Sequence, residues 1–218
     1  MESNFNVTFD EKFIEDKLAD SLLDKCNLIF GKNLDRRTTI VLGEKDTLYS
    51  ETYSRTPVLD WELFPELLIV KKQLEDLTKV KYNFCAIMCY PNGQALIKKH
   101  RDKEIPTGSQ ICGISIGTTR RFKLTSIRSR ISPIVLNLTH GSLYCILSPT
   151  NDHWLHEILP DKTDEVRYSL TFRNIPNPLN ISDLKYCTAL LKSGPKKGLP
   201  CNAGIQNLAN DYCGRHNK

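Results

Sequence analysis

No apolar run in the 218-residue chain approaches the ~20 residues that a helix needs to cross a bilayer. The opening residues, MESNFNVTFDEK, lack the basic start and apolar stretch of a secretory leader, so an intracellular, soluble protein without a membrane partner is expected. Eight cysteines without a leader do not suggest a disulfide framework. Cys26, Cys85, Cys89, Cys112 and Cys145 sit among apolar residues and are expected as buried, reduced thiols. No internal repeat is apparent, which sets a repeat architecture aside. Beyond Tyr82 helical periodicity is also missing.

What remains is an ordinary globular composition, 40% hydrophobic and 25% charged, on a chain long enough for one sizeable core and a small appendage. Residues 10–26 carry Phe13, Ile14, Leu18 and Leu22 at helical spacing behind Asp10 as a potential cap, and a second helix is expected from Pro65 through ELLIVKKQLEDL, with Leu67, Leu74 and Leu77 among its apolar positions. RRTTIVLG and TLYSETYS read as short strands between them. From Tyr82 the runs YNFCAIMCY, ALIKKHRD, QICGISIG, RFKLTS, PIVLNL, SLYCIL and RYSLTFR are short and apolar or alternating, separated by Gly, Pro and Asn turns. That many strands in succession indicate a sandwich or barrel, mainly β with flanking helices. PNPLN then marks a linker, which divides the chain into residues 1–176 and a tail, 177–218.

The formal charge of +5 is unevenly placed. From Pro176 onward six basic residues face two acidic ones, and RRFKLTSIRSR, Arg120 to Arg130, holds five basic residues and no acid. Such clusters either suit a polyanion, through counterion release, or form a solvated surface.

Two stretches carry chemistry. In an extended chain residues i and i+2 share a face, so His100 and Asp102 of KKHRDKE point the same way and Arg101 the other. A His-x-Asp pair plus a distant histidine makes the 2-His-1-carboxylate triad that holds Fe(II) on one face and leaves positions open; His140, His153 and His156 are candidates for the third ligand. In RYSLTFR, Arg167, Ser169, Thr171 and Arg173 alternate with Tyr168, Leu170 and Phe172. Two guanidinium groups on an inner face need anionic partners, such as a dicarboxylate; alternatively the strand is an edge with its arginines in water.

From about Leu34 to Ile175 the chain resembles the AlkB family of Fe(II)/2-oxoglutarate dioxygenases, in its nucleic-acid-repair branch: HRDKE, ISIGTTRRF, HGSL, PTNDHWLHEI and RYSLTFR occur in that family's order and spacing. The resemblance implies a double-stranded β-helix (jelly-roll) core and makes His100, Asp102 and His156 the iron ligands, leaving His153 as a non-ligand and His140 as structural. It implies that Arg167 pairs with the distal carboxylate of 2-oxoglutarate, that Arg173 lies near the metal-proximal carboxylate and Asp102, and that Tyr90 contacts the cosubstrate. Where the family usually has asparagines in contact with cosubstrate this chain has Met88 and Ser169, and one lost hydrogen bond to a charged group costs on the order of 1.5–3 kcal/mol, so weaker cosubstrate binding is expected. The implied activity is oxidative N-dealkylation of bases such as 1-methyladenine or 3-methylcytosine in DNA or RNA, with O2 as cosubstrate, 2-oxoglutarate decarboxylated to succinate and formaldehyde released. Glu104 matches a pocket acid that would favour a cationic base, and Tyr49 and Tyr53 fall where the family stacks the base. The chain is expected to act as a monomer. A protein or small-molecule hydroxylase on the same scaffold is one alternative; a catalytically weak nucleic-acid-binding protein is another.

The tail reads Cys187-x13-Cys201-x11-Cys213-x2-His216. Three thiolates and an imidazole would complete a tetrahedral Zn(II) shell, the staple that so short a segment needs to fold; the alternative is free cysteines in a disordered tail.

Overall fold

A computed structural model describes residues 4–31, 34–44, 47–48, 58–103, 105–128, 131–176, 178–180, 185–186 and 204–205. Contacts divide the chain into two units, Met1–Lys45 with Tyr49–Asn177, and Asp46–Leu48 with Pro178–Lys218. In the second, β3 (Thr47–Leu48) pairs with β13 (Leu179–Asn180), and β14 (Lys185–Tyr186) with β15 (Gly204–Ile205), both antiparallel.

The first unit begins with β1 (Val7–Asp10), α1 (Asp16–Phe30), β2 (Thr38–Gly43), β4 (Val58–Asp60) and α2 (Pro65–Thr78). Strands follow: β5 (Phe84–Tyr90), β6 (Ile97–His100), β7 (Ile111–Gly117), β8 (Arg120–Ser126), β9 (Ile134–Leu138) and β10 (Leu143–Ile146). One short turn of helix, α3 (Thr150–His153), precedes β11 (Trp154–Ile158) and β12 (Arg167–Arg173). The seven-stranded sheet has the order β1-β10-β7-β12-β5-β2-β4; the four-stranded sheet is β6-β11-β8-β9. All pairings are antiparallel except β2 with β4. This is a mainly β, two-sheet structure with few helices, in keeping with a jelly roll. Among the described residues no helix is long and apolar enough to cross a membrane.

Strand parity separates two cores. On β12, Tyr168, Leu170 and Phe172 face outward to α1 and α2, packing with Leu22, Phe64 and Leu74. The other face of the large sheet meets the small sheet, where Tyr90, Ile111 and Tyr144 pack with Phe122, Leu124 and Trp154. Full burial of each large side chain contributes about 1.5–3 kcal/mol, so both faces of β12 are committed. RYSLTFR is therefore central, between β5 and β7, and the edge-strand alternative is overturned.

The first helix starts at Asp16, not Asp10. Asp10 belongs to β1, opposite Leu143, while the amides of Phe13 and Ile14 donate to the Gly141 carbonyl, so pairing with β10 takes the residues that a local pattern assigns to helix. Leu77 of α2 faces solvent, and Val70 instead joins Leu67 and Leu74 in the core.

The end of α2 is latched by Glu75, which accepts from Lys71 Nζ at 2.7 Å, Lys81 Nζ at 2.8 Å and the Tyr82 amide at 3.0 Å. Burial opposes ionisation of this carboxyl, yet the two ammonium groups and the amide outweigh it and lower its pKa from 4.5 to about 2. A depressed pKa adds stability above the unfolded value and loses it as pH falls through the folded one. The stability advantage over Glu75→Gln should therefore fade between 4.5 and about 2. Urea midpoints measured across that range check this; a gap that does not narrow contradicts the latch.

Two expectations are corrected by the packing. Arg120 is not part of an exposed basic run: it is fully buried, and its guanidinium donates to the carbonyls of Asn92, Gly93, Ala95 and Leu159 at 2.7–3.0 Å. It ties the β5–β6 connection to the end of β11, and only Arg121 and Arg128 of the described part of that run are exposed cations. Cys112 and Cys145 are not free thiols either. They stand opposite each other in register on β7 and β10 and are joined sulfur to sulfur, whereas Cys26, Cys85 and Cys89 are buried and free.

Candidate active site

β6 ends at His100, and β11 places His156 directly opposite it. The chain leaves β6 at Arg101, and Asp102 is pinned there by Asn151: its amide donates to Asn151 Oδ1 at 3.1 Å, and Asn151 Nδ2 donates to its carbonyl at 2.8 Å. This side chain imitates a strand partner and swings the Asp102 carboxylate between the two imidazoles. His100 Nε2 lies 3.5 Å and His156 Nε2 3.8 Å from Asp102 Oδ1, and one ligand atom from each residue falls within 4.8 Å of the others.

The orientation of His100 and the charge states of His156 and Asp102 suit a cation. His100 Nδ1–H donates to the Lys98 carbonyl at 2.8 Å, which leaves its Nε2 lone pair toward the cluster. Burial pushes the His156 pKa down to about 4, so that ring is neutral. Burial alone would raise the Asp102 carboxyl, but the Arg173 guanidinium, with His100 and His156, holds it well below the usual carboxylate range. Arg173 Nε donates to Asp102 Oδ2 at 2.8 Å and Nη2 makes a second, very short contact to the same oxygen. Among the described residues no other group of three His, Cys, Asp or Glu gathers in this way. His153 sits at the end of α3 outside the cluster, and His140 is spent elsewhere, its Nδ1 accepting from the Gly117 amide at 2.9 Å.

The cluster opens onto a cavity of about 330 Å³ between the sheets, a size that suits a small ligand. Its floor is a grid set by register. Arg167 pairs with Tyr90 and Gly117, Ser169 with Met88 and Ser115, Thr171 with Ala86 and Gly113. Arg173 closes the metal end. Beside Tyr90 of the lining Arg167 is fully buried, with its Nε donating to Ser115 Oγ at 2.8 Å and its guanidinium 5.1 Å from the centre of the Tyr90 ring. Its Nη1 and Nη2 have no hydrogen-bond partner among the described residues. Unpaired buried donors on a cation are costly, and a carboxylate matches both at once. The donor set for a metal and the orphaned fork for a dicarboxylate thus both fit.

Ser169 lies in this floor, 3.4 Å from Thr171 Oγ1, and Met88 beside it accepts only the weak contact from the Tyr90 hydroxyl at 4.0 Å. Glu104, Tyr49 and Tyr53 lie outside the described residues, as do Cys187, Cys201, Cys213 and His216. Several contributors were missed from sequence: Asn151, Ser115, Tyr144, and Arg37 with Thr39 on the cavity lining. Asn151 stands in the quoted PTNDHW motif, but its role depends on a partner 49 residues away.

The profile of the 2OG-Fe(II) oxygenase superfamily matches residues 22–173. The DNA oxidative demethylase ALKBH2 of Bos taurus is 34% identical over 140 residues, 60% of this chain and 50% of that protein. The Homo sapiens protein of that name is 31% identical over 158 residues, 67% of this chain and 60% of its own length. The alpha-ketoglutarate-dependent dioxygenase alkB homolog 3 of Bos taurus is 29% identical over 154 residues, 65% and 53% of the two chains. This chain thus spans about half to three-fifths of the length of these relatives. The solved structure of OsALKBH1 superposes with a TM-score of 0.55 at 12% identity over 80% of this chain and 100% of that one, a likeness of fold. With the histidines, the aspartate and the arginine strand all inside the matched region, the chain belongs to the 2OG-Fe(II) oxygenase superfamily, as an AlkB-like member.

Proposed function

We propose that this chain is an Fe(II)- and 2-oxoglutarate-dependent dioxygenase that oxidatively removes alkyl groups from base nitrogens in nucleic acid. The observation that carries this is the convergence of His100, Asp102 and His156 on a cavity lined also by Tyr90, beside which the buried Arg167 keeps Nη1 and Nη2 without a partner among the described residues. When bound, ferrous iron supplies the redox chemistry that couples decarboxylation of 2-oxoglutarate to hydroxylation of an N-alkyl carbon; the resulting hemiaminal collapses to formaldehyde and the free base.

The remaining tasks fall to the chain. His100 Nε2, Asp102 Oδ1 and His156 Nε2 would hold the metal on one face and leave the cavity side open. Arg173 keeps Asp102 ionised and fixes its second oxygen, so that only one is offered to the metal. Arg167, with Tyr90 beside it, would receive the distal carboxylate, and Ser169 would line the middle of the floor. The apolar walls, Ile97, Ile111, Phe122 and Ile158, exclude water from the reacting carbon. Arg37 on the lining and Lys98, Lys99 and Arg101 flanking His100 in the chain are exposed, and cations there would meet phosphates. The relatives are named for oxidative demethylation of DNA, which supports a nucleic-acid substrate. Glu104, Tyr49 and Tyr53 would supply recognition of an extruded cationic base, and Cys187, Cys201, Cys213 and His216 would hold Zn(II) in a separate tail.

Matched 1-methyladenine oligomers of DNA and RNA, single- and double-stranded, incubated with the full chain, Fe(II), 2-oxoglutarate and O2 should release succinate and formaldehyde in equal amounts. Succinate that does not depend on the methyl group would favour a protein or small-molecule hydroxylase. None above an Asp102→Ala control would leave a binding protein.

A further inference from the structure

The wall that holds Arg167 carries a second phenol besides Tyr90. Tyr144 on β10 stands opposite Gly113 on β7, and Gly113 opposite Thr171 on β12. The ring crosses β7 toward the strand that bears both arginines, and it can do so only because Gly113 has no side chain: a Cβ there would meet Cζ, Cε1 and Oη of Tyr144 at 2.3, 2.4 and 2.5 Å. On its far side the ring stacks on Phe122, centroids 4.6 Å apart and planes 29° apart. Held between a glycine backbone and an aromatic face, the phenol has little freedom, and it borders the cavity. Tyr144 lines the same cavity and packs in the same cluster as Tyr90, whose ring lies 5.1 Å from the Arg167 guanidinium, and of the charges that act on the buried Tyr144 phenol Arg167 is the strongest.

A carboxylate brought to Arg167 needs more donors than the guanidinium fork supplies. Two oxygens offer about four lone-pair sites; Nη1 and Nη2 fill two of them, and an unfilled site in a buried cavity is costly. The next level of the floor presents Met88, a poor acceptor with no donor, beside Ser169, whose short hydroxyl lies 3.4 Å from that of Thr171. Tyr90 and Tyr144 are the two phenols on the cavity lining, and the Tyr90 ring lies beside Arg167.

We propose that Tyr144 selects the cosubstrate: its hydroxyl donates, together with Tyr90 and Arg167, to the distal carboxylate of a 2-oxo dicarboxylic acid, so that the cavity prefers a dicarboxylate to a 2-oxo monocarboxylate. This deepens the dioxygenase reading and rests on it. The full chain, loaded with Fe(II) under anaerobic conditions, is titrated by calorimetry with 2-oxoglutarate and with 2-oxobutyrate, which lacks the distal carboxylate. Tyr144→Phe keeps the ring over Gly113 and against Phe122. It should weaken 2-oxoglutarate about tenfold, the low end for a hydrogen bond to a charged group, and leave 2-oxobutyrate unchanged. Undiminished 2-oxoglutarate binding overturns the proposal alone, and so does an equal loss for both acids, since that marks a merely structural ring. Failure of the unmodified chain to bind 2-oxoglutarate overturns the dioxygenase reading and this proposal together.

Discussion

Asp102→Ala is expected to abolish metal binding and to lower turnover by on the order of 10³-fold, since it would remove the only anion of the proposed triad and with it several kcal/mol of charge stabilisation. The substitution does a second kind of damage. Arg173 Nε and Nη2 both end on Asp102 Oδ2, and both residues are almost wholly buried, so removing the carboxylate takes away the anion that these two nitrogens meet. Breaking one side of a buried pair costs about 3–5 kcal/mol, and the variant should unfold at correspondingly lower denaturant. The two effects are separable. Asp102→Ala combined with Arg173→Met removes both charges and should recover most of the stability while leaving the metal content at background. Iron stoichiometry and urea midpoints on the three variants check this. A double variant no more stable than Asp102→Ala would show that the pair contributes little to holding β12 against the β6 exit.

How much of this arrangement could be read from the residues depends on whether the information is local. His100 and Asp102 are two apart on an extended segment, and the two arginines bracket one strand, so alternation alone puts each pair on a common face. Which face is inside, and what lies opposite, is a matter of register, and register is long-range. Tyr144 over Gly113, Ser115 under Arg167 and Asn151 on Asp102 each join residues that no local pattern links. Cys112 and Cys145 illustrate the same limit: each looks like an ordinary buried thiol until β7 and β10 are paired. Arg120 is different, because a local signal was present. It shares parity with Phe122 and Leu124, so the alternation that buries those two buries Arg120 as well, and the count of basic residues in the run obscured it. The start of α1 failed for the opposite reason: Phe13 and Ile14 do have helical spacing, but tertiary hydrogen bonds to Gly141 outweigh a weak propensity.

Replacing Arg167 should move stability and function in opposite directions. Among the described residues its buried Nη1 and Nη2 meet no hydrogen-bond partner, and burial lowers its pKa, both signs of a cation held at a cost. Its compensations among the described residues include a hydrogen bond to Ser115, the face of Tyr90 at 5.1 Å and the polarity of the Tyr90 and Tyr144 phenols, and a cation over a ring contributes about 0.5–2 kcal/mol. Arg167→Met preserves the length and bulk of the side chain, removes the unpaired charge and should therefore raise the ligand-free stability by about 1–2 kcal/mol. The same change deletes the fork that would receive the distal carboxylate, and 2-oxoglutarate affinity should fall on the order of 10²-fold, the usual penalty when one member of a desolvated charge pair is truncated. Titrating the cosubstrate during denaturation makes the opposition visible. At a hundred times its dissociation constant 2-oxoglutarate stabilises the unmodified chain by about 2.7 kcal/mol and the variant hardly at all, so the order of the two melting curves should reverse as cosubstrate is added. If Arg167→Met proved less stable than the unmodified chain without cosubstrate, the guanidinium would be a structural element of the sheet and not a receptor held ready for an anion. A strand that keeps a destabilising cation in its interior is best explained by what that cation binds.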